Sequence, residues 1–386
     1  MHPVYLDHAA TTPMRSEVKE AMAPFLSETF GNPSSLHRWG RKASAALERA
    51  RDLAAEALEA DPGEILFTRG GTESDNLGVL GRCRAISQDG TVPTLAISSV
   101  EHHAVFDTAR GAESRGELRL VTLPVHTDGT VDLAPLETAL RNGPTVVSVM
   151  WVNNETGMVL PIPEIGRLVE AHGGTLHTDA VQAVGKIPVS AQLPGIGLLT
   201  ATGHKIYGPR GTGLLFVRDA TEIAPLLYGG GQERALRPGT EDVAGAVGFA
   251  AALRLAVDEQ ADEAMRLSVL RDAFEGRVLA EITDVRINVG GAPRSPSISS
   301  LGIGGVDGQL LLNALDMEGI ATSGGSACAS GSTAGSHVIS ALFGSADTMA
   351  TVRFSLGRHT TESDLVQAAA VLAQVVGRLR AMEKAS

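Results

Sequence analysis

Cysteine and aromatic residues are scarce in this sequence. It has two cysteines among 386 residues, and phenylalanine, tryptophan and tyrosine together account for 4%. Because Cys83 and Cys328 are far apart and lack metal-ligand spacing, neither a disulfide framework nor a zinc site is expected. We therefore predict reduced thiols and, for Cys83 near the end of a predicted helix, an ordinary packing role.

Long apolar runs and a surplus of positive charge are also missing. No apolar run approaches the roughly 20 residues that a membrane-spanning helix needs. Residues 1–7 lack the basic and apolar regions of a secretory signal. We therefore predict no membrane segment and a cytoplasmic location. The formal net charge of -12 argues against broad binding to nucleic-acid backbones, so no direct nucleic-acid role is predicted.

The length and the order of the apolar patterns predict two domains. A chain of 386 residues is longer than one hydrophobic core usually supports. Between residues 36 and 217, helical patterns alternate with short strand-like runs, which predicts a doubly wound, mainly parallel α/β sheet. A helical stretch over 243–282 then leads to mixed strands and helices, typical of a smaller α+β domain. We assign residues 16–256 to the large domain and residues 1–15 with 257–386 to the small one.

Lys205 is the first candidate for chemistry. It ends an apolar run and is surrounded by glycines and small polar residues over 202–211. A partly desolvated amine near cationic or dipolar groups is a good nucleophile toward an aldehyde cofactor. Alone, this segment fits a surface lysine in a tight turn equally well.

Nine short motifs, spread over nearly the whole chain, decide between these alternatives. They are YLDHAATTP (5–13), FGNPSS (30–35), GT (71–72), EHH (101–103), NNE (153–155), HTD (177–179), TGHK (202–205), SAC (326–328) and RFSLGR (353–358). In this order they resemble the motifs of the cysteine desulfurases. These are enzymes of the class V aminotransferase group with the fold-type I architecture of pyridoxal-phosphate-dependent transferases.

The resemblance implies a pyridoxal 5'-phosphate site. Lys205 matches the lysine that binds the cofactor, and His102 matches the histidine that stacks on its ring and acts as an acid-base group. Asp179 matches the carboxylate that keeps the ring nitrogen protonated, and Gln182 the residue that hydrogen-bonds the phenolic oxygen. The residues matching the phosphate ligands are Gly71, Thr72, Thr202, His204 and, across a homodimer interface, Thr240.

The residues around Gly71 and Asp179 also have simpler interpretations. A strand, turn and helix over 67–76 offers backbone amides and a positive helix end to a phosphate, but an ordinary capped helix has the same pattern. Thr72 and Asp75 have capping-box spacing. Asp179 also fits an aspartate that starts the turn after a strand. Glu101, His102 and His103 suggest no metal site, because adjacent side chains diverge and no third ligand is evident.

Substrate binding is implied at Arg353, with Asn154 beside it. A planar guanidinium binds an α-carboxylate through two hydrogen bonds. The alternative for Arg353 is a structural salt bridge. The same alternative applies to Arg358, and it suits Arg358 better than Arg353.

Cys328 matches the cysteine that accepts sulfur as a persulfide. It lies in a run of small residues over 322–335, for which we expect mobility and exposure. The Ser-Gly-Gly-Ser-Ala-Cys form resembles the NifS/IscS-like branch of the family, with one additional glycine.

The resemblance implies conversion of L-cysteine to L-alanine and delivery of sulfur to acceptor proteins. We expect the sulfur to go to an iron-sulfur scaffold, to a tRNA-thiolating enzyme or into a cofactor pathway. The segment after the last predicted helix is short, which leaves open how an iron-sulfur scaffold would dock. The alternatives within the cofactor class are a selenocysteine lyase, an aminotransferase or another β-eliminating enzyme. A catalytically silent scaffold is the alternative from a different class.

Overall fold

A computed structural model describes residues 2–324 and 336–383 of the protein. Helices α1–α11 run over Ser16–Leu26, Arg38–Leu58, Gly71–Ile86, His103–Ser114, Ala134–Asn142, Ile162–Ala171, Val243–Asp258, Gln260–Glu281, Gly308–Met317, His337–Phe343 and Glu362–Glu383. Strands β1–β12 run over Val4–Tyr5, Ile65–Thr68, Thr94–Ser98, Arg119–Leu123, Thr145–Ser148, Thr175–Asp179, Ile196–Thr202, Gly213–Val217, Val285–Ile287, Ile298–Ile303, Ile320–Ala321 and Ala350–Ser355.

The central sheet has seven strands in the order β2-β8-β7-β6-β5-β3-β4. The five strands from β7 to β4 pair in parallel, whereas β8 is antiparallel to both of its neighbours. Every residue of β3, β6 and β7 is buried. Strands buried on both faces are typical of parallel sheets covered by helices. The predicted doubly wound, mainly parallel α/β fold is confirmed.

A second apolar cluster lies around a three-stranded antiparallel sheet, β12-β10-β9. The N-terminal strand β1 pairs in parallel with β11, so that Val4 and Leu6 pack with apolar residues of the range 267–376. This cluster is separate from the cluster around the central sheet. The exact domain boundaries assigned from the sequence stay a prediction.

Helix α11 is long and apolar enough to cross a membrane, judged by length and composition alone. Its apolar side chains, including Leu365, Leu372 and Val376, lie in the second apolar cluster. Packing against the neighbouring elements therefore accounts for the hydropathy of this helix.

Two local predictions are wrong. Thr72 and Asp75 form no capping box, because α3 begins at Gly71 and Asp75 is buried inside the helix. Gly70 precedes the helix with a φ of 135°, which favours glycine. The predicted single helical stretch over 243–282 is two helices that meet at Glu259, whose carboxylate accepts hydrogen bonds from Arg15 and Arg358.

Candidate active site

One cavity of about 270 Å³ collects most of the residues singled out from the sequence. It lies where β6 ends at Asp179 and β7 ends at Thr202, the edge at which parallel α/β sheets bind ligands. The predicted residues that line it are Gly71, Thr72, His102, Asn154, Asp179, Gln182, Thr202, His204, Lys205 and Arg353. Thr240 is exposed on the surface of its own chain, and Cys328 lies outside the described residues.

Lys205 enters the cavity from a short 3-10 turn, Gly203–Lys205, directly after β7. Its Nζ donates hydrogen bonds to the backbone carbonyls of Ala9 and Ala10, both at 2.7 Å. The N-terminal segment therefore orients an amine that is nearly 200 residues away in the sequence. Sequence reasoning found the lysine but not these two acceptors.

Asp179 and His102 line the same cavity as Lys205. Burial raises the pKa of Asp179, opposed by the nearby His102, and its Oδ1 accepts a hydrogen bond from Val181 N at 2.9 Å. His102 is the N-cap of α4, where its Nδ1 accepts from Ala104 N at 3.1 Å. Burial lowers the pKa of His102. A neutral imidazole with its proton on Nε2 satisfies both observations.

Three further carboxyl groups line the cavity, those of Asp75, Glu101 and Glu155, and sequence reasoning gave none of them a role. Asp75 and Glu101 are almost completely buried and belong to its lining. Burial raises the pKa of Glu101 to about 8, and burial together with Asp179 raises that of Asp75 well above its usual value. Glu101 Oε1 accepts from Ser98 Oγ at 2.5 Å and Met150 N at 2.8 Å. Burial thus favours the protonated form of both groups.

The presence of Glu101 in the EHH motif was a signal that sequence reasoning did not use. For Asp75 the only signal was its position in the first turns of a helix that begins with glycines. Neither pattern reveals burial, because burial depends on the strands that pack around these residues.

The first residues of helix α3, Gly71 and Thr72, also line the cavity. A Cβ added to Gly71 would approach Val181 Cγ2 to 3.2 Å. Thr202 Oγ1 donates to Thr212 O at 2.9 Å. His204 Nδ1 lies 3.3 Å from Thr11 Oγ1, and burial lowers the pKa of His204 to about 4. A helix N-terminus with few side chains around it is a suitable phosphate site.

Arg353 is 1% exposed and lines the cavity. Its Nη2 donates to Asp7 Oδ1 at 2.7 Å, and its Nη1 donates to the backbone carbonyl of Asn154 at 2.6 Å. The guanidinium is therefore both part of the cavity and one half of an ion pair, so the two interpretations of Arg353 coexist. Arg358 forms the expected salt bridge, with Glu259 at 2.7 Å.

Of the two cysteines, only Cys83 lies within the described residues. Cys83 is 3% exposed and packs in an apolar cluster with Val79 and Val105. Burial raises the pKa of its thiol to about 12, so the predicted packing role of Cys83 is confirmed.

The cavity fits pyridoxal phosphate. It offers an amine at Lys205, a carboxyl group at Asp179 for a ring nitrogen, an imidazole at His102, and helix amides for a phosphate. Within residues 2–324 and 336–383, no three side chains of the metal-binding types form a cluster that could hold a metal ion.

Comparisons with known proteins agree with this chemistry. The Aminotransferase class-V family profile matches residues 4–367. A cysteine desulfurase IscS of Dictyoglomus turgidum is 44% identical over 378 residues, 98% of this chain and 95% of that protein. A cysteine desulfurase NifS of Azotobacter vinelandii is 40% identical over 382 residues, 98% of this chain and 94% of that protein. A solved structure of a NifS-like protein has 31% identity and a TM-score of 0.89, covering 98% of this chain and 100% of that one.

Proposed function

Because the chain belongs to the class-V aminotransferase family and, within it, to the cysteine desulfurases, we propose that it converts L-cysteine to L-alanine and transfers the sulfur to Cys328. The enzyme depends on pyridoxal phosphate. The observation that carries the proposal is the convergence of Lys205, Asp179, His102 and Arg353 on one cavity.

The cofactor, when bound, withdraws electrons from the substrate and so makes its Cα proton acidic and its Cβ–S bond labile. Lys205 holds the cofactor, and its amine then moves protons at the substrate Cα. The backbone carbonyls of Ala9 and Ala10 orient that amine whenever it is not bound to the cofactor. Asp179 would keep the ring nitrogen of the cofactor protonated, and Gln182 would hydrogen-bond its phenolic oxygen.

The remaining residues position the cofactor and the substrate. His102 would stack on the cofactor ring and exchange protons with the substrate. The phosphate is held by backbone and side-chain groups of Gly71, Thr72, Thr202 and His204. In a homodimer, Thr240 of the partner subunit also contributes. The support for that last assignment is that Thr240 is exposed and away from the cavity of its own chain.

Arg353 and Asn154 bind the α-carboxylate of the substrate. Asp7 and the carbonyl of Asn154 fix the direction of the guanidinium before the substrate arrives. Such preorganisation reduces the entropy that binding must overcome. Because the guanidinium is almost completely buried, its charge is weakly screened by solvent.

Cys328 accepts the sulfur. Its thiolate attacks the substrate sulfur, a bond forms between the two sulfurs, and the Cβ–S bond breaks with its electron pair remaining on the carbon side. Protonation of that carbon and of Cα yields L-alanine, and the persulfide remains on Cys328.

The test is to supply L-cysteine and a reductant and to quantify alanine and sulfide. The native protein and Cys83→Ala are expected to form both products, whereas Cys328→Ala forms neither. Cys83 is the matched control because it is a buried packing residue. Alanine or sulfide formation that does not depend on Cys328 would refute the sulfur transfer to Cys328, and sulfide formed without alanine would favour a β-eliminating enzyme.

The biological setting is also part of the proposal. We infer a cytoplasmic homodimer, since the reaction needs a reduced nucleophilic thiol and the phosphate site needs a second subunit. The names of the relatives favour an iron-sulfur scaffold as the sulfur acceptor, and a tRNA-thiolating enzyme is the alternative. No contact with nucleic acid or membrane is required for either route.

A further inference from the structure

Lys186 is a partly buried lysine next to the active site for which the reaction has no role. It lies four residues after Gln182, and its Nζ donates a hydrogen bond to Gln182 Oε1 at 3.0 Å. Lys186 does not line the catalytic cavity. It lines a neighbouring cavity that shares Ala9 and Lys205 with the catalytic one.

Gln182 is 3% exposed and does line the catalytic cavity. Its Nε2 donates to Ala9 O at 2.8 Å, and Ala9 O is also an acceptor for Lys205 Nζ. The carboxamide is therefore held at both ends, at the oxygen by Lys186 and at the nitrogen by Ala9. A carboxamide with both ends held cannot exchange its oxygen and nitrogen positions without losing both hydrogen bonds.

No ion pair explains why Lys186 is placed there. Among the described residues, no carboxylate oxygen lies within salt-bridge distance of its Nζ, and the charges that act on it, those of Lys205 and Arg353, are positive. An amine that is partly removed from water and has no carboxylate beside it lowers stability. Burial and these two charges lower the pKa of Lys186 to about 7, but the amine remains a hydrogen-bond donor in either protonation state.

We propose that Lys186 is a positioning residue that holds the Gln182 carboxamide with its N–H groups toward the cofactor. Gln182 then presents a donor, and never an acceptor, to the oxygen of the cofactor ring. The inference rests on the proposed function in one respect, that the cofactor occupies the cavity lined by Gln182.

The test uses cofactor binding and needs no L-cysteine. Apo-protein is reconstituted with pyridoxal phosphate, and the dissociation constant and the visible absorbance of the bound cofactor are measured between pH 6 and pH 9. Since one hydrogen bond contributes on the order of 1 kcal/mol, Lys186→Met is expected to weaken binding about 5-fold and to alter the absorbance. Lys186→Arg retains a donor and is expected to recover the native values.

Two controls separate positioning from a merely structural role. Lys19→Met removes an exposed lysine of α1 and is expected to change nothing. Lys186→Met removes a partly buried amine, so the melting temperature of the apo-protein is expected to stay level or rise.

A double-mutant cycle shows whether Lys186 acts through Gln182. In a Gln182→Ala background, Lys186→Met is expected to have no further effect on cofactor affinity. The proposal would be overturned if Lys186→Met weakened cofactor binding in the Gln182→Ala background as much as it does in the native protein. Native affinity and absorbance in Lys186→Met alone would also overturn it. Failure of the native protein to bind the cofactor at all would instead refute the proposed function.

Discussion

At the scale of the residue, several carboxyl groups of the site are buried, and burial disfavours their ionised form. Asp75, Glu101 and Asp179 all line one cavity, and burial raises the pKa of each. Three carboxylates so close together cannot all be ionised at low cost. In the proposed site, Asp179 is the one that would gain a cationic partner from a protonated ring nitrogen, so the cofactor and this carboxylate would stabilise each other.

Asp179→Asn tests that pairing. A hydrogen bond between charged groups contributes about 1.5–3 kcal/mol, which corresponds to a 10- to 100-fold loss of affinity for pyridoxal phosphate. Equilibrium binding to apo-protein is the measurement. Asp52→Asn, at an exposed position of α2, is the control and is expected to bind like the native protein. Unchanged affinity in Asp179→Asn would show that the carboxylate does not face the ring nitrogen.

At the scale of the element, the segment before α7 is held in an unfavourable conformation by one buried ion pair. Glu233, Arg234 and Ala235 have φ values of 43°, 58° and 59°, in the left-handed region that residues other than glycine disfavour. The Glu233 carboxylate accepts from both terminal nitrogens of Arg51, at 2.9 and 2.8 Å, and from Phe67 N at 3.0 Å. These contacts of Glu233, which serve as an anchor, attach the segment that leads to Thr240 to α2 and β2.

Arg51→Met is expected to destabilise the protein by about 3 kcal/mol, because it leaves the buried Glu233 carboxylate without its cation. The free energy of unfolding, measured with urea, gives the effect. Arg49→Met is the matched control, since Arg49 is an exposed arginine of the same helix. Equal stability of the two variants would contradict the role of the anchor.

At the scale of the whole molecule, the core contains a histidine whose titration makes stability depend on pH. His177 is fully buried in β6, with Nδ1 2.8 Å from Ser148 Oγ and Nε2 3.1 Å from Thr200 Oγ1. Burial lowers its pKa from 6.5 to about 3. The unfolded chain therefore takes up a proton below pH 6.5 that the folded protein accepts only near pH 3. The stability that His177 contributes is present above pH 6.5 and is lost as the pH falls toward 3.

Relative to His177→Gln, the native apo-protein is accordingly expected to lose about 3 kcal/mol of stability when the pH falls from 6.5 to 4. Urea unfolding at a series of pH values measures the difference. His126→Gln, at an exposed position, is expected to follow the native curve. Parallel curves for His177→Gln and the native protein would mean that His177 titrates alike in both states.

Glu101 acts in the opposite direction. Its pKa is raised from 4.5 to about 8, so the stability gained by holding its proton is present below pH 4.5 and is lost as the pH rises toward 8. The two windows overlap between pH 4.5 and pH 6.5, where the contributions of His177 and Glu101 to stability change with pH in opposite directions and largely cancel.

Local patterns determined much of this molecule. The order of strands and helices in the central sheet follows from short apolar runs that alternate with amphipathic stretches, and the motifs around Lys205, Asp179 and Arg353 indicated the residues that meet in the cavity. Lys205 and Asp179 are readable because they lie at or directly after the ends of strands, where the carboxyl ends of a parallel sheet converge. Arg353 lies instead in β12 of the antiparallel sheet.

Long-range packing decided the rest. The antiparallel direction of β8, the pairing of β1 with β11, and the carbonyls of Ala9 and Ala10 against Lys205 all join segments far apart in the chain. The burial of Asp75 and Glu101 and the contact of Lys186 with Gln182 are of the same kind. A sequence pattern specifies which residues prefer the interior, but only the folded arrangement specifies which of them meet, and the pKa of a buried group depends on those neighbours.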